Sequence, residues 1–369
     1  MHILFCNFHE AHGGGHDTYL LSLIQTLKAR HEVALACPPS AQLYLTLRTE
    51  IHCFAINYKA IFREYTFFIR LKNFKQWVEK QAFDIIRVNG SADHRVLLLI
   101  YPFLKKRPKL ILTKHNALCI KWGAWLRMCY FTDAIIAVSR FTERQLLQAG
   151  VKKSLVHTIV NGVDTDFFTP LASQKKNILR QHYGLNNDDF IFVSNAGTAP
   201  CKNWPSLLAA VARLPLASRK KIKIMIAGKL PSPVEQAALI KKFDLRRDQV
   251  VFLGLLADTR DSMTLGDAGF VLSNTEETIS FACREMMAMG LPVMVSNFGG
   301  LPENITDQVD GWIVPVNDIA AVTRCILQLV SKNNLTQMGQ RARKKAVKNF
   351  NKEQFINATV ALYQRLISA

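Results

Sequence analysis

The sequence lacks the hydrophobic segments that mark secreted and membrane-spanning proteins. Its longest apolar run, Val96–Leu104, is interrupted by Pro102 and is far shorter than the roughly 20 residues that a transmembrane helix needs. The first residues, MHILFCNF, have the pattern of a short strand and not that of a signal peptide. We therefore expect a cytoplasmic protein without a membrane span.

Paired cysteines, internal repeats and a dinucleotide fingerprint are also missing. None of the eight cysteines lies in a C-x-x-C spacing, which argues against a zinc site and a disulfide framework and predicts reduced thiols. Without repeats or low-complexity tracts, the chain is not a solenoid. The glycine-rich stretch Gly13–Gly15 does not match G-x-G-x-x-G, so that mark of a dinucleotide-binding protein is absent.

Acidic residues are scarce relative to basic ones. There are 28 Asp and Glu against 47 Lys and Arg, a formal charge of +19, and such a charge attracts polyanions and anionic membranes. Basic residues mix with aromatic ones in residues 61–77, where Phe62, Tyr65, Ile69 and the pair Phe68 and Leu71 share one side of a helix. That helix is either interfacial or core-facing. Similar mixtures in residues 101–107 and 120–127 favour a membrane-facing surface.

Apolar strand patterns alternate with helical patterns along the whole chain, which predicts α/β domains with mainly parallel sheets. The predicted strands are Ile3–Asn7, Glu32–Ala36, Ile85–Val88, Leu110–Thr113, Ala134–Val138, Thr158–Val160, Phe190–Ser194, Ile222–Ala227, Val250–Leu253, Gly269–Leu272 and Val293–Val295. The alternation breaks near residues 161–187. We expect two Rossmann-like domains facing a cleft, residues 1–168 and 169–351, with a final helix over 352–369 packing on the first domain.

Three features at predicted strand ends are candidates for ligand contacts. Gly14 and Gly15 would bring backbone N–H groups close to a phosphate or a sugar hydroxyl, or would form a plain tight turn. His115 follows a strand and would hydrogen-bond a sugar hydroxyl, although a lone histidine is more often structural. Lys202 would neutralise a leaving diphosphate, although most surface lysines have no such role.

The stretch Ser273–Glu303 is the most informative part of the sequence. It places Glu277 and Glu285 eight positions apart, and carboxylates of this kind accept hydrogen bonds from the hydroxyls of a sugar or a ribose. The N–H groups of Ile279, Ser280 and Phe281 lie at a helix start that favours an anion. The alternative is that Glu277 is only an acidic residue at a helix N-terminus and Glu285 a solvated helix residue. The acidic triplet Asp164–Asp166 is interpreted as a turn and not as a metal site.

In these residues the chain resembles the retaining glycosyltransferases of family 4, which have the GT-B fold. The resemblance covers nearly the whole length, and its motifs follow one another in the family's order. They are the glycine loop after the first strand, Thr132–Ser139, Val160–Asp164 with Phe168 and Pro170, Val251–Gly254, and Glu277-x7-Glu285 followed by Gly290-x-Pro292.

The resemblance implies roles for individual residues. Glu277 and the backbone after it contact the donor sugar, Glu285 the ribose, Lys202 the diphosphate and His115 a donor hydroxyl, with Glu277, His115 and Lys202 as the catalytic set. The other implied donor-binding residues are Gly14, Gly15, Gly197, Gly228, Gly254, Thr278, Ile279, Ser280 and Phe281. Two departures stand out. Thr198 occupies the place of the family's usual Arg, which leaves the diphosphate to Lys202, Arg284 or another basic residue, and Thr278-Ile279-Ser280 replaces Gly-Phe-Gly.

The function implied is that of a hexosyltransferase that acts with retention and without a metal or other cofactor. The expected donor is a UDP-sugar, and the expected acceptor is a membrane-associated saccharide or a lipid-linked one, used in lipopolysaccharide or cell-surface polysaccharide synthesis. The enzyme is expected at the inner face of the cytoplasmic membrane. The alternatives are a GT-B epimerase or hydrolase and a basic nucleic-acid-binding protein; the Glu277–Glu285 region does not support the last.

Overall fold

The computed structural model describes residues 1–10, 15–63, 65–331 and 334–369. The chain forms two compact units, Met1–Asn161 with Glu353–Ala369 and Gly162–Lys352. The division after Asn161 comes a few residues before the predicted boundary at residue 168. Among the described residues, no helix has the length and apolar character needed to cross a membrane.

The first unit is built on a sheet of seven parallel strands. The strands are β1 (His2–Cys6), β2 (Glu32–Cys37), β3 (His52–Ala55), β4 (Ile85–Val88), β5 (Lys109–Lys114), β6 (Ala134–Ala137) and β7 (Val156–Thr158). The α-helices are α1 (Gly15–Leu27), α2 (Gln42–Leu47), α3 (Phe67–Gln81), α4 (Ser91–Ile100), α5 (Trp122–Tyr130) and α6 (Arg140–Gln148), with 3₁₀ turns at Ile61–Arg63, Tyr101–Phe103 and Lys153–Leu155. The strand order is β3-β2-β1-β4-β5-β6-β7.

The second unit contains a sheet of six parallel strands in the order β10-β9-β8-β11-β12-β13. The strands are β8 (Phe190–Ser194), β9 (Ile222–Ala227), β10 (Val250–Gly254), β11 (Ala268–Val271), β12 (Val293–Ser296) and β13 (Gly311–Val314). The α-helices are α7 (Ser173–His182), α8 (Pro205–Ala212), α9 (Leu216–Lys220), α10 (Pro233–Lys242), α11 (Arg260–Leu265), α12 (Phe281–Ala288), α13 (Ile319–Ser331) and α14 (Leu335–Asn349), with 3₁₀ turns at Pro200–Lys202, Arg247–Gln249 and Leu301–Asn304.

The central strands of both sheets are buried along their length. In β4, β6, β9, β11 and β12 every residue is buried, and because successive side chains point to opposite faces, both faces of these strands are covered. The predicted α/β class with parallel sheets is therefore confirmed.

The segment over residues 61–77 differs from the single helix expected. A 3₁₀ turn at Ile61–Arg63 precedes α3, which begins at Phe67. In a continuous helix Ile61 would lie roughly 120° around the axis from Phe67. The break lets Ile61 enter the core beside Phe74, while Phe67 and Leu71 pack against that core. Leu71 thus packs against the core, whereas the residues predicted to share its side of the helix, Phe62, Tyr65, Phe68 and Ile69, are exposed.

The C-terminal helix α15 (Lys352–Ser368) packs within the first unit through a buried cation. Arg87 on β4 is 0% exposed, and its guanidinium donates to the hydroxyls of Thr113 at 2.8 Å, Tyr363 at 2.7 Å and Tyr19. Burial lowers the pKa of Arg87. These three hydroxyls connect β4 to β5, α1 and α15.

We predict that Tyr363→Phe destabilises the first unit by about 1–3 kcal/mol, because a buried guanidinium N–H then loses its acceptor. The measurement is urea unfolding followed by circular dichroism. Tyr130→Phe is the control, since Tyr130 is 69% exposed. Equal unfolding midpoints for the two variants would contradict the role given to Arg87.

Candidate active site

Glu277 and Lys202 meet at the carboxyl edge of the second sheet. Glu277 lies in the loop after β11, and its Oε2 is 2.8 Å from the Lys202 ammonium. The hydroxyl of Ser273 donates to the same oxygen at 3.0 Å. Glu277 is 6% exposed and the Lys202 side chain is 25% exposed. The structure therefore brings together two residues predicted from separate parts of the sequence.

The loop that carries Glu277 is fixed by two glycines after β12. A Cβ atom at Gly299 would clash with the carbonyl oxygen of Glu277, and one at Gly300 with that of Thr278. The N–H of Gly300 also donates to the Glu277 carbonyl at 3.3 Å. No residue with a side chain fits here without moving this loop.

Helix α12 begins directly after this loop. Ser280 is its N-cap, and the Ser280 hydroxyl accepts from the N–H of Cys283 at 3.2 Å. Thr278, Ile279 and Ser280 are buried, and Phe281 is the first helical residue. The start of a helix favours an anion because N–H groups there have no partner within the helix.

Glu285 lies one turn into α12 and is not the solvated helix residue of the alternative interpretation. Its Oε2 accepts a hydrogen bond of 2.6 Å from the side-chain amide of Asn195, which follows β8. Burial raises the pKa of Glu285 to about 7, and the bond from Asn195 opposes that shift. The carboxyl group is thus poised to change charge near neutral pH.

Three predicted glycines form a continuous backbone contact at the ends of β8, β9 and β10. A Cβ atom at Gly228 would lie 2.8 Å from the Cα of Gly197, and the N–H of Gly228 donates to the carbonyl of Gly254 at 2.9 Å. Gly197 has a φ of +88° and open space on the side where a Cβ would project. The hydroxyl of Thr198 donates to the carbonyl of Lys229.

Arg284, a candidate substitute for the arginine that Thr198 replaces, is held inside the unit. It is 1% exposed, its Nε donates to Asn304 at 2.7 Å, and its guanidinium lies 4.4 Å from the centroid of the Phe350 ring. Burial lowers the pKa of Arg284 to about 10. Its contacts are those of a core residue.

In the first unit, His115 directly follows β5. Its Nε2 is 3.2 Å from the Oδ1 of Asn89, and its ring lies 4.4 Å from that of His16 and 4.7 Å from that of Tyr19, between ring centroids. Burial holds the pKa of His115 well below its usual value, and the nearby His16 and Arg87 lower it further. His115 is therefore neutral at physiological pH and suited to hydrogen bonding with a hydroxyl.

The glycine loop of the first unit is described only in part. Gly15 is the first residue of α1, and it precedes His16, which packs on His115. Gly13 and Gly14 lie outside the described residues.

Sequence reasoning missed Asn195, Ser273 and Asn89. Each is a polar residue placed directly or within two positions after a buried strand, and that placement is the signal that could have identified them.

The predicted turn at Asp164–Asp166 is present, with Asp164 paired to Lys352 at 2.6 Å. In the part of the chain that the structure describes, no group of three or more His, Cys, Asp or Glu side chains could hold a metal ion.

Two family models match the chain, one on each side of the junction. The model described as Glycosyltransferase Family 4 matches residues 13–167, and the model described as Glycosyl transferases group 1 matches residues 175–345. With its two parallel-sheet units, the chain is a glycosyltransferase of family 4 with the GT-B fold.

Curated relatives are distant. The chain is 29% identical over 225 residues to the putative glycosyltransferase EpsD of Bacillus subtilis, a match that covers 59% of this chain and 57% of that protein. It is 26% identical over 292 residues to the UDP-Gal:alpha-D-GlcNAc-diphosphoundecaprenol alpha-1,3-galactosyltransferase of Escherichia coli, covering 74% and 73% respectively.

Solved structures share the fold over the full chain. A glycosyltransferase from Rickettsia africae superposes with a TM-score of 0.87 at 18% identity, covering 99% of this chain and 98% of that one. Anabaena Alr3699/HepE in complex with UDP-glucose superposes with a TM-score of 0.84 at 19% identity, covering 99% and 100%. At these identities the likeness concerns the fold.

Proposed function

We propose that the chain transfers a hexose from a UDP-sugar to a membrane-associated saccharide or lipid-linked acceptor, with retention of configuration and without a metal. The observation that carries this proposal is the Glu277–Lys202 pair, held 2.8 Å apart beside the start of α12. It sets a carboxylate for hydroxyl recognition next to a cation for a leaving phosphate.

The residues of the second unit divide the work of binding the donor. Glu277 accepts hydrogen bonds from sugar hydroxyls, and Glu285 accepts them from the ribose. Lys202 and the N–H groups at the start of α12 stabilise the charge that develops on the diphosphate as the glycosidic bond breaks. In the first unit, neutral His115 hydrogen-bonds a sugar hydroxyl.

Transfer with retention then needs no further protein base. The bond from the anomeric carbon to the diphosphate oxygen breaks through an oxocarbenium-like transition state. The acceptor hydroxyl attacks from the same face, and its proton passes to the departing phosphate oxygen. The role of the protein is to hold both groups and to stabilise the diphosphate.

The relatives support this choice of substrates. The Anabaena protein is in complex with UDP-glucose, and the E. coli relative is named for transfer from UDP-Gal to a diphosphoundecaprenol-linked sugar. Another structure of the same fold, with a TM-score of 0.75, is a lipopolysaccharide outer core galactosyltransferase, WaaB. A hydrolase or an epimerase of the same fold is the alternative that product analysis would separate.

An exposed aromatic–basic surface on the first unit supports a membrane-bound acceptor. Helices α3 and α4 contact each other, and each contacts a neighbouring 3₁₀ turn, Ile61–Arg63 and Tyr101–Phe103 respectively. Large apolar side chains of these elements are exposed to solvent. The surface consists of Phe62, Tyr65, Phe68, Ile69 and Phe103, with the exposed cations Arg70, Lys72 and Lys105. Tyr65 is 100% exposed and Phe68 is 81% exposed. Apolar groups fringed by cations are typical of proteins that bind anionic lipid.

The proposed transfer is tested with Glu277→Gln. We expect turnover of UDP-sugar to fall at least a hundredfold, on the order of a lost electrostatic contact in the transition state, while UDP still raises the melting temperature. The measurements are chromatography of a labelled sugar and thermal shift. Glu276→Gln is the matched control. The neighbouring Glu276 is exposed, so this variant should turn over UDP-sugar at the normal rate. Near-normal turnover in folded Glu277→Gln would refute the assignment, and free sugar as the sole product would indicate a hydrolase.

The raised pKa of Glu285 predicts pH-dependent nucleotide binding. Only the ionised carboxylate accepts two ribose hydrogen bonds, so the affinity for UDP should fall as the pH drops through about 7. Between pH 8 and pH 6 we expect a loss of about tenfold, set by the ionised fraction. The measurement is the affinity for UDP by isothermal calorimetry at each pH. Glu285→Gln is the reference, because the titration of UDP itself affects both proteins equally. Parallel pH profiles for the two proteins would show that Glu285 does not bind the ribose.

Membrane binding is tested with a triple variant, Tyr65→Ser, Phe68→Ser and Ile69→Ser. We expect binding to phosphatidylglycerol vesicles, measured by co-sedimentation, to weaken at least tenfold. Three exposed apolar side chains no longer enter the membrane interface. Val234→Ser with Leu255→Ser is the control, since these side chains of the second unit are 78% and 83% exposed. Equal binding by the triple variant and the control would reject the aromatic–basic surface as the membrane contact.

A further inference from the structure

Lys229 is an exposed lysine directly after the Gly228 turn at the end of β9. Its side chain forms no hydrogen bond or ion pair within the described parts of the chain, 1–10, 15–63, 65–331 and 334–369. The pKa of Glu235 is lowered chiefly by its hydrogen bonds with the side chain and the N–H of Ser232 in the N-terminal capping box of α10, and the charge of Lys229 lowers it slightly further. The ammonium of Lys229 is therefore available to a ligand.

The backbone places Lys229 beside the loop that follows β8. The hydroxyl of Thr198 donates to the carbonyl of Lys229 at 2.5 Å. A Cβ at Gly228 would lie 2.8 Å from the Cα of Gly197 and 2.9 Å from the N of Thr198, so the two turns are in backbone contact. Lys229 thus follows a turn that packs directly on the Gly197–Thr198 turn. The side chain of Thr198 in that turn carries no charge.

Three other described cations of the second unit already have partners. Lys202 is paired with Glu277 at 2.8 Å, so the two charges largely cancel. Arg260, in the helix after β10, pairs with Asp258 at 2.6 Å and stacks on Phe167 at 3.9 Å. Arg284 is buried against Phe350. The Lys202–Glu277 pair has little net charge, so it does not by itself balance the negative charge of a diphosphate.

We infer that Lys229 binds the diphosphate of the donor and supplies the positive charge that Thr198 does not. This rests on the proposed function, because it names a further residue for the same donor. A lysine acts on phosphate as a point charge on a flexible stem and needs no fixed bidentate geometry. The side of Gly197 on which a Cβ would project is open, with no atom within 4 Å of that position.

The test compares UDP with uridine, which has the same base and ribose but no phosphate. For Lys229→Gln we expect the Kd of UDP to rise about tenfold, as for loss of one hydrogen bond to a charged group, and the Kd of uridine to stay constant. The UDP affinity of the variant should also depend less on salt, since one screened charge pair is gone. Calorimetry for UDP and ligand-observed NMR for uridine give both values.

Lys220→Gln is the matched control, because it removes the same charge from an exposed lysine before the amino end of β9. Its affinity for UDP should equal that of the parent protein. Thr198→Arg added to Lys229→Gln should recover UDP affinity, since a guanidinium then replaces the ammonium on the adjoining turn.

Two results would overturn the inference. One is an unchanged affinity of Lys229→Gln for UDP, and the other is an equal loss of affinity for UDP and uridine, which would indicate a disturbed loop. If the parent protein binds neither UDP nor UDP-glucose, the proposed function fails first, so the two failures are distinguishable.

Discussion

Backbone packed directly on backbone is the constraint on which the Glu277–Lys202 site depends. The Gly299–Gly300 turn lies against the carbonyls of Glu277 and Thr278, and Gly228 lies against Gly197. Such contacts exclude side chains and leave little freedom to the loops after β8, β9 and β11. The positions of Glu277, Lys202 and the start of α12 follow from this packing more than from their own hydrogen bonds.

Each unit also holds a buried ionisable group whose described partners are neutral. Arg87 is surrounded by three hydroxyls, and Glu285 is held by the amide of Asn195. Burying a charge without a counter-charge is costly, and it shifts the pKa toward the neutral form. Proteins retain such groups where a ligand or a fixed electrostatic field makes use of them, and both lie near the carboxyl ends of their sheets.

Sequence reasoning succeeded where local pattern and tertiary role coincide. The apolar strands were identified because their full burial makes them continuous apolar runs, and the final helix, predicted over 352–369, is found at Lys352–Ser368. It missed β3 and β13, because both are short edge strands in which His52 or Gly311 weakens the pattern. The break before Phe67 depends on Ile61 reaching the core, which no local pattern encodes. The Asn195–Glu285 bond joins residues 90 positions apart, so spacing alone could not reveal it.

The path of the chain has a consequence for how the protein is made. The second unit begins and ends side by side, since Val163 forms a bridge with Asn351 and Asp164 pairs with Lys352. It is thus an insertion into the first unit, whose buried Arg87 finds one of its acceptors in Tyr363, which follows the inserted unit in the chain. During translation the first unit, although it starts first, is completed last, after the inserted unit has emerged whole.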